Sequence, residues 1–172
     1  MSELANELKK LAERDDLAWL SNDVILSEVD AAVISLTRKQ ADTVRLDGLA
    51  IQTYGNSLLY HKYLQDKLRT KRTLSLSDAK ALAASLELDA VLCTDEWPLR
   101  YVAGHYDYDN GNPVELLSTV HLIALLEKEN LISREVRIKT YSDWLKDGTA
   151  LLRETPEIYV SLFNELPPTA QG

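Results

Sequence analysis

The sequence predicts an α/β fold in which a mainly parallel sheet is covered by helices on both faces and followed by a C-terminal helical extension. The main observation is the segment 74–103, where apolar residues at helical spacing precede a continuous apolar run at residues 90–93. A second short apolar run, residues 114–117, is also followed by a helical pattern. Strands that alternate with helices form parallel βαβ units, and strands covered on both faces are continuously apolar.

The composition is that of an ordinary soluble globular protein, and 172 residues suffice for one domain with its own core. The net charge of −8 argues against a dedicated, broadly basic nucleic-acid-binding module, although local basic clusters can still bind phosphate. Cys93 is the only cysteine, so no internal disulfide can form, which indicates a reducing, cytoplasmic location. We expect no membrane association, because the chain has neither a secretory signal nor an apolar run of membrane-spanning length.

The N-terminal part is predicted to be mainly helical. Residues 2–14 form an amphipathic pattern with one leucine stripe. A second helix, capped by Ser21 or Asn22, includes Glu28. Residues 31–36 are apolar and partly β-branched, so they fit either a strand or the end of the second helix, and we favour a strand.

The next part contains the most basic stretch of the chain. Residues 37–48 fit a polar helix or a loop, and the Gly-Asn-Ser sequence at 55–57 indicates a break. A third helix is predicted from this break to Arg72. Its C-terminal half carries the basic residues Lys62, Lys67, Arg69, Lys71 and Arg72.

The segment 74–103 places an acidic residue at the end of a strand. Ser75 or Ser77 can cap its first helix, whose apolar positions are Ala79, Leu82, Ala83 and Leu86. The apolar run that follows is a strand, which stops at the polar sequence 94–96. Asp95 therefore lies at the carboxyl end of a strand, where open α/β sheets bind ligands.

The C-terminal part continues with a strand and three helices. Residues 104–112 are a loop, and the helix at residues 120–129 is predicted to bury Leu122, Ile123, Leu125 and Leu126. The next helix, from Arg134, ends at Gly148. Thr155 caps the last helix, with Pro156 at its first position, and Ile158, Leu162, Phe163 and Leu166 are expected to pack it on the body or on a partner.

The segment 74–133 resembles the PIN-domain nuclease family. The matching residues are Ser77-Asp78-Ala79, the small-residue helix that follows, Thr94-Asp95, and Arg100 and Ala103 on the next helix. The resemblance implies a PIN-like α/β/α sandwich over residues 1–150. It also implies a metal-dependent ribonuclease, such as the toxin of a toxin–antitoxin pair. The residues themselves predict a C-terminal helix at 151–166, stopped by Pro167 and Pro168, and a mobile tail at 167–172.

The resemblance implies a metal site made by Asp78, Asp95 and Glu28, which are also the catalytic residues. Such carboxylates repel one another unless a cation neutralises them, and Mg²⁺ or Mn²⁺ suits oxygen ligands. A metal ion held there would activate a water against an RNA phosphodiester, with Thr94 in a supporting role. The predicted RNA-binding residues are Arg100, Lys67, Arg69, Lys71 and Arg72.

Simpler interpretations stay open for each of these residues. Asp78 is also an ordinary helix-start residue, and Asp95 an ordinary turn residue. The basic stretch can be a solvated helix face. The chain shows no Cys/His metal cluster, phosphate-binding glycine loop or nucleophile elbow that would favour another enzyme class. The alternative function is a binding or scaffold protein that has the PIN fold without catalysis.

One feature of the PIN family has no clear counterpart. The family's first strand ends in an Asp well before the glutamate, but only 27 residues precede Glu28 and most of them fit helices. Three explanations are open: a shortened, inert PIN fold; a strand at 17–20 or 31–36 in the central position; or a site completed by a partner chain. The expected partners are RNA, an antitoxin or other protein, and further copies of the chain.

Overall fold

The computed structural model of the protein describes residues 34–106, 113–149 and 151–169, together with position 13. The chain divides into two compact units. One unit comprises Leu36–Glu129 and Ala150–Leu166, and the other includes Asn130–Thr149. The elements in chain order are α1 (Arg38–Gln65), α2 (Leu76–Leu88), β1 (Leu92–Cys93), α3 (Trp97–Ala103), β2 (Leu116–Leu117), α4 (Thr119–Lys128), α5 (Arg134–Lys146) and α6 (Thr155–Phe163).

Helix α1 is a single helix of 28 residues. It begins at a capping box, in which the Gln40 N–H donates to Thr37 Oγ1 and the Thr37 N–H donates to Gln40 Oε1. Its buried face repeats every three or four residues: Val44, Gly48, Ile51, Gly55 and Leu59. The predicted break at residues 55–57 and the helix from there to Arg72 are both wrong, because the helix passes through the break and ends at Gln65.

Tertiary contacts explain why the helix continues through Gly55 and Asn56. A Cβ at Gly55 would lie 3.0 Å from both Cγ atoms of Val102, so the missing side chain permits close packing. The Asn56 side chain accepts a 2.8 Å hydrogen bond from the Leu74 N–H and donates a 3.3 Å bond to the Leu74 carbonyl. Leu74 is buried, and the Asn56 side chain thus provides hydrogen-bond partners for both the N–H and the carbonyl of Leu74.

Helix α2 and the two strands form the predicted helix–strand pattern. Ser75 Oγ accepts the Asp78 N–H and caps α2, which ends at Asp89 in the left-handed conformation. Strand β1 pairs in parallel with β2, with Leu92 opposite Leu116. The prediction of a mixed helix–strand fold with parallel pairing is therefore confirmed in the described residues.

The strand prediction was wrong in length and in burial. We expected a strand at residues 90–93 covered on both faces, but β1 contains two residues. Leu92 is buried, whereas Val91 is 47% exposed and Cys93 is also exposed. The continuous apolar run reflects one buried position between two exposed ones, and run length alone could not reveal this.

Helices α4 and α6 pack against each other, and each buries fewer of its apolar residues than predicted. Val120 and Ile123 are buried on α4 and Tyr159 on α6. Leu122 and Leu125, predicted to point inward, are 44% and 46% exposed. Leu162 and Leu166 on or after α6 are exposed as well. Glu154, rather than Thr155, is the N-cap residue of α6, and Pro156 lies one position later in the helix than predicted.

Helix α5 belongs to the other unit. Ser133 Oγ caps it by accepting the Val136 N–H, and Arg137, Thr140 and Tyr141 are buried. Gly148 follows its end with a φ of +65°, a conformation that glycine adopts without strain, as the sequence predicted.

Several predicted elements lie outside the described residues. These are the helix at 2–14, the apolar run at 17–20, the second helix with Glu28, residues 107–112 of the loop and the end of the tail at 170–172. Of the strand predicted at 31–36, the described positions 34–36 are not in a strand, which corrects that part of the prediction. None of the helices in the described residues has both the length and the apolar character needed to cross a membrane.

Candidate functional site

The carboxyl ends of β1 and β2 are joined by hydrogen bonds that include a guanidinium. The Thr94 N–H donates to the Leu117 carbonyl at 3.0 Å. Arg100 Nη1, from α3, donates to the carbonyls of Thr94 and Leu117 at 2.9 and 2.8 Å. Arg100, predicted to contact phosphate, therefore uses this nitrogen to hold the two strand ends together.

Asp95 follows β1 and contacts the start of the helix after β2. Both of its carboxylate oxygens lie 3.3 Å from the backbone nitrogen of Thr119, the first residue of α4. A carboxylate favours this position because the first N–H groups of a helix have no partner within the helix. The supporting residue Thr94 fixes the turn here, since its Oγ1 accepts the Glu96 N–H at 3.0 Å.

Asp78 takes part in the start of α2. Ser75 Oγ donates to Asp78 Oδ2 at 2.6 Å, while the Asp78 N–H donates back to Ser75 Oγ at 3.1 Å. Glu28, the third predicted ligand, lies outside the described residues. Within the described parts of the chain, no group of three or more His, Cys, Asp or Glu residues is arranged to hold a metal ion. The three-carboxylate site thus stays a prediction.

A groove of about 660 Å³ brings Asp95 together with part of the predicted RNA-binding set. Three segments of the chain form it: the end of α1 with the loop after it, the turn after β1, and the residues before α6. Its lining residues are Lys62, Asp66, Leu68, Arg69, Thr70, Arg72, Asp95, Glu96, Trp97, Pro98, Leu151, Leu152, Arg153 and Glu154.

The positive charge available in this groove comes from arginines. Lys62 is paired with Asp66 at 2.7 Å, and the hydrogen bond to the Asp66 carboxylate raises the pKa of Lys62 above its ordinary value. Arg69 and Arg72 are exposed and have no ion-pair partner among the described residues. Because both follow the end of α1, they lie on a loop rather than on the solvated helix face that was the simpler interpretation.

The other two basic residues of the predicted set lie elsewhere. Lys71 Nζ is 5.0 Å from the centre of the Tyr60 ring, a cation–π contact at the surface. Lys67 adopts a φ of +50° in the turn after α1. Neither Lys67 nor Lys71 lines the groove.

Trp97 is a groove residue that we did not single out from the sequence. It is the first residue of α3, it is 39% exposed, and its ring stacks on Tyr101 with centroids 5.5 Å apart. A signal was available, because a tryptophan directly after an acidic strand end and before a proline lies at a polar helix start, where a large aromatic side chain cannot be fully buried.

Cys93 reports on the charges near the end of β1. Partial desolvation raises the pKa of its thiol above the ordinary value, the negative charge of Asp95 raises that pKa further, and Arg100 opposes the shift. The residue is exposed even though its sulfur is partly desolvated. The thiol therefore lies close enough to Asp95 and Arg100 to sense both.

His121 has its hydrogen-bond partners within its own helix start. The Ser118 N–H donates to His121 Nδ1 at 3.2 Å, and Ser118 Oγ lies 2.7 Å from the same nitrogen. Because Nδ1 accepts the backbone N–H, the neutral ring carries its proton on Nε2.

Comparison with known proteins gives no relative from which a role could be transferred. No family model matches the chain, and neither a curated protein nor a solved structure matches it. The resemblance of residues 74–133 to PIN domains therefore stays a prediction from the sequence.

Proposed function

We propose that the chain is a PIN-like, metal-dependent ribonuclease. The backbone of its RNA substrate binds in the groove that Asp95, Arg69 and Arg72 help to form. One observation carries the proposal: a carboxylate at the end of a parallel strand shares a groove with two arginines from a distant segment that have no ion-pair partner among the described residues. Arginine is well suited to phosphate because its planar guanidinium can donate two parallel hydrogen bonds.

The predicted ligands are carboxylate oxygens, which hard cations such as Mg²⁺ and Mn²⁺ prefer. A carboxylate has about four acceptor positions, and Asp95 accepts one N–H, shared between its two oxygens. Asp78 and Glu28 are the further ligands in this proposal. Mg²⁺ or Mn²⁺ bound by these oxygens would activate a water and stabilise charge on the phosphate. The chain itself holds the phosphodiester through Arg69 and Arg72 and orients Asp95 through Thr119.

A binding protein without catalysis is the second candidate, and a specific observation favours it. The Asp95 and Asp78 carboxylates both take part in helix starts, which alone accounts for their positions. A site with two carboxylates also binds a divalent ion more weakly than one with three. This candidate keeps the RNA-binding groove and loses only cleavage.

We also propose protein partners, namely an antitoxin and further copies of the chain. A toxin-type ribonuclease would be held inactive by an antitoxin, and self-association is also part of the prediction. The exposed leucines Leu122 and Leu125 on α4 are the kind of surface that such a protein partner would cover. We also propose a cytoplasmic location, where an RNA substrate is present.

Cleavage of a single-stranded RNA with and without Mn²⁺ separates the two candidates. Asp95→Asn is compared with Asp89→Asn, an identical change at a left-handed helix end where asparagine is equally tolerated. The ribonuclease proposal requires Mn²⁺-dependent cleavage that Asp95→Asn reduces by at least about 100-fold and Asp89→Asn leaves unchanged. RNA binding without any Mn²⁺-dependent cleavage would leave the non-catalytic candidate.

A further inference from the structure

We propose that Trp97 is a stacking platform for a nucleobase, so that the groove takes a nucleotide with its base on the indole and its phosphates towards Arg69 and Arg72. The inference rests on the proposed RNA-binding groove and adds a base-binding position to it. It commits to a ligand that combines a flat aromatic ring with negative charge.

The indole of Trp97 is supported from one side by the ring of Tyr101 on α3, which in turn contacts a ring just after the helix. Trp97 stacks on Tyr101 at 5.5 Å with an interplanar angle of 20°, and Tyr101 contacts His105 at 4.2 Å. Trp97 and Tyr101 are four positions apart on α3, so they lie above one another on one face of the helix, whereas His105 follows the helix end. Lys62 Nζ lies 5.5 Å from the centre of the Tyr101 ring.

The support has an energetic consequence for binding. An exposed aromatic side chain normally loses rotamer freedom when a ligand stacks on it, which lowers the affinity. Trp97 is already held by Tyr101 while 39% of its surface remains exposed. The position is therefore preorganised for a second ring, and base–aromatic stacking tolerates any base because every base has a π-face.

The charges of the groove orient a nucleotide along it. Asp95 and Glu96 immediately precede Trp97 in the chain and repel phosphate, whereas Arg69 and Arg72 attract it. A nucleotide therefore binds with its uncharged base near the acidic turn, formed by Asp95 and Glu96, and its phosphates near the arginine loop, which carries Arg69 and Arg72. A peptide of Asp and Glu residues alone would gain from the arginines but lacks a ring that could stack on Trp97.

The test measures affinity in EDTA, where no metal-dependent cleavage can occur. The probes are a 3′-fluorescein-labelled hexauridylate and the same hexamer with abasic sugars, titrated by fluorescence anisotropy. The variants are Trp97→Ala, Trp97→Phe and, as a matched control, Tyr60→Ala. Tyr60 is an exposed ring, 44% accessible, that stacks on Tyr63 but does not line the groove. Circular dichroism checks that each variant is folded.

The wild-type protein is expected to bind the base-bearing hexamer roughly 5- to 150-fold more tightly than the abasic one, the range for one stacked base. In Trp97→Ala the two hexamers should bind equally well. Trp97→Phe should keep part of the preference for the base-bearing hexamer, and Tyr60→Ala should keep all of it. Equal binding of the two hexamers by the wild type, or an unchanged ratio in folded Trp97→Phe and Trp97→Ala, overturns the stacking proposal. That result would leave the proposal that Arg69 and Arg72 bind phosphate intact. If the wild-type protein bound neither hexamer, the proposal that the groove binds RNA would be overturned.

Discussion

Both carboxylate oxygens of Asp95 lie 3.3 Å from the backbone nitrogen of Thr119, so the residue after the first strand is tied to the helix after the second. The contact joins residues 24 positions apart and holds the acidic turn at the start of α4. It also means that Asp95 has a structural role whether or not it binds a metal, and stability and activity must be measured separately.

Asp95→Ala should lower the free energy of unfolding by about 1 kcal/mol, because the Thr119 N–H at the helix start loses its acceptor. Asp95→Asn keeps an amide oxygen as acceptor and should cost less. Urea denaturation in EDTA measures both. If the alanine variant were as stable as the wild type, the contact between Asp95 and Thr119 would not contribute to the stability of the fold.

Replacing Arg100 by methionine should destabilise the protein by about 2 kcal/mol, in the range for hydrogen bonds from a charged group. The methionine preserves the apolar stem, so the change isolates the bonds to Thr94 and Leu117. Arg45→Met is the control, since Arg45 makes only an exposed 3.9 Å ion pair with Asp42. Equal effects of the two changes on urea denaturation would contradict the strand-bridging role.

Gly55→Ala should destabilise the protein by about 1 kcal/mol. The new methyl group would lie 3.0 Å from the Cγ atoms of Val102 and 3.1 Å from Leu74 Cδ2, and both neighbours are buried and cannot yield. Alanine improves helix propensity by up to about 1 kcal/mol, which offsets part of this cost. Gly104→Ala is the control, because its Cβ would have no neighbour closer than 3.5 Å, and its stability should equal that of the wild type. Thermal unfolding measures both variants. A stabilised Gly55→Ala would show that the helix contact is loose.

Alkylation of Cys93 by iodoacetamide should show a midpoint pH above that of the urea-unfolded chain. Only the thiolate reacts, and desolvation with the Asp95 charge raises the thiol pKa in the folded state. Asp95→Asn should lower the midpoint, because it removes a nearby negative charge. The rate is read without ambiguity, since Cys93 is the only cysteine. A folded midpoint at or below the unfolded one would contradict the desolvation of the sulfur, and an unchanged midpoint in Asp95→Asn would place Asp95 away from it.

The sequence predicts those elements whose signals are local. Ser75 marks the start of α2 and Gly148 follows the end of α5, because a cap or a left-handed residue satisfies the backbone without help from elsewhere. The parallel pairing of β1 and β2 also follows from the alternation of strands and helices.

The elements that were missed depend on distant contacts. Gly55 and Asn56 read as a turn, but Val102 and Leu74 make them part of one helix, so tertiary packing overrides their local preference. The groove was only partly foreseen. The sequence singles out Asp95 and the basic residues Arg69 and Arg72 separately, and predicts a helix for the two arginines, but no spacing rule indicates that they share a groove with Trp97.

The salt dependence of RNA affinity tests the shared groove most directly. The double variant Arg69→Ala/Arg72→Ala is compared with Arg38→Ala/Arg45→Ala, which removes two exposed arginines on α1. Each lost phosphate contact lowers the slope of log affinity against log salt by about 0.7 for a single strand. We predict that the groove variant binds more weakly with a slope smaller by about 1.4, while the control is unchanged. An unchanged slope and affinity in the groove variant would contradict the account.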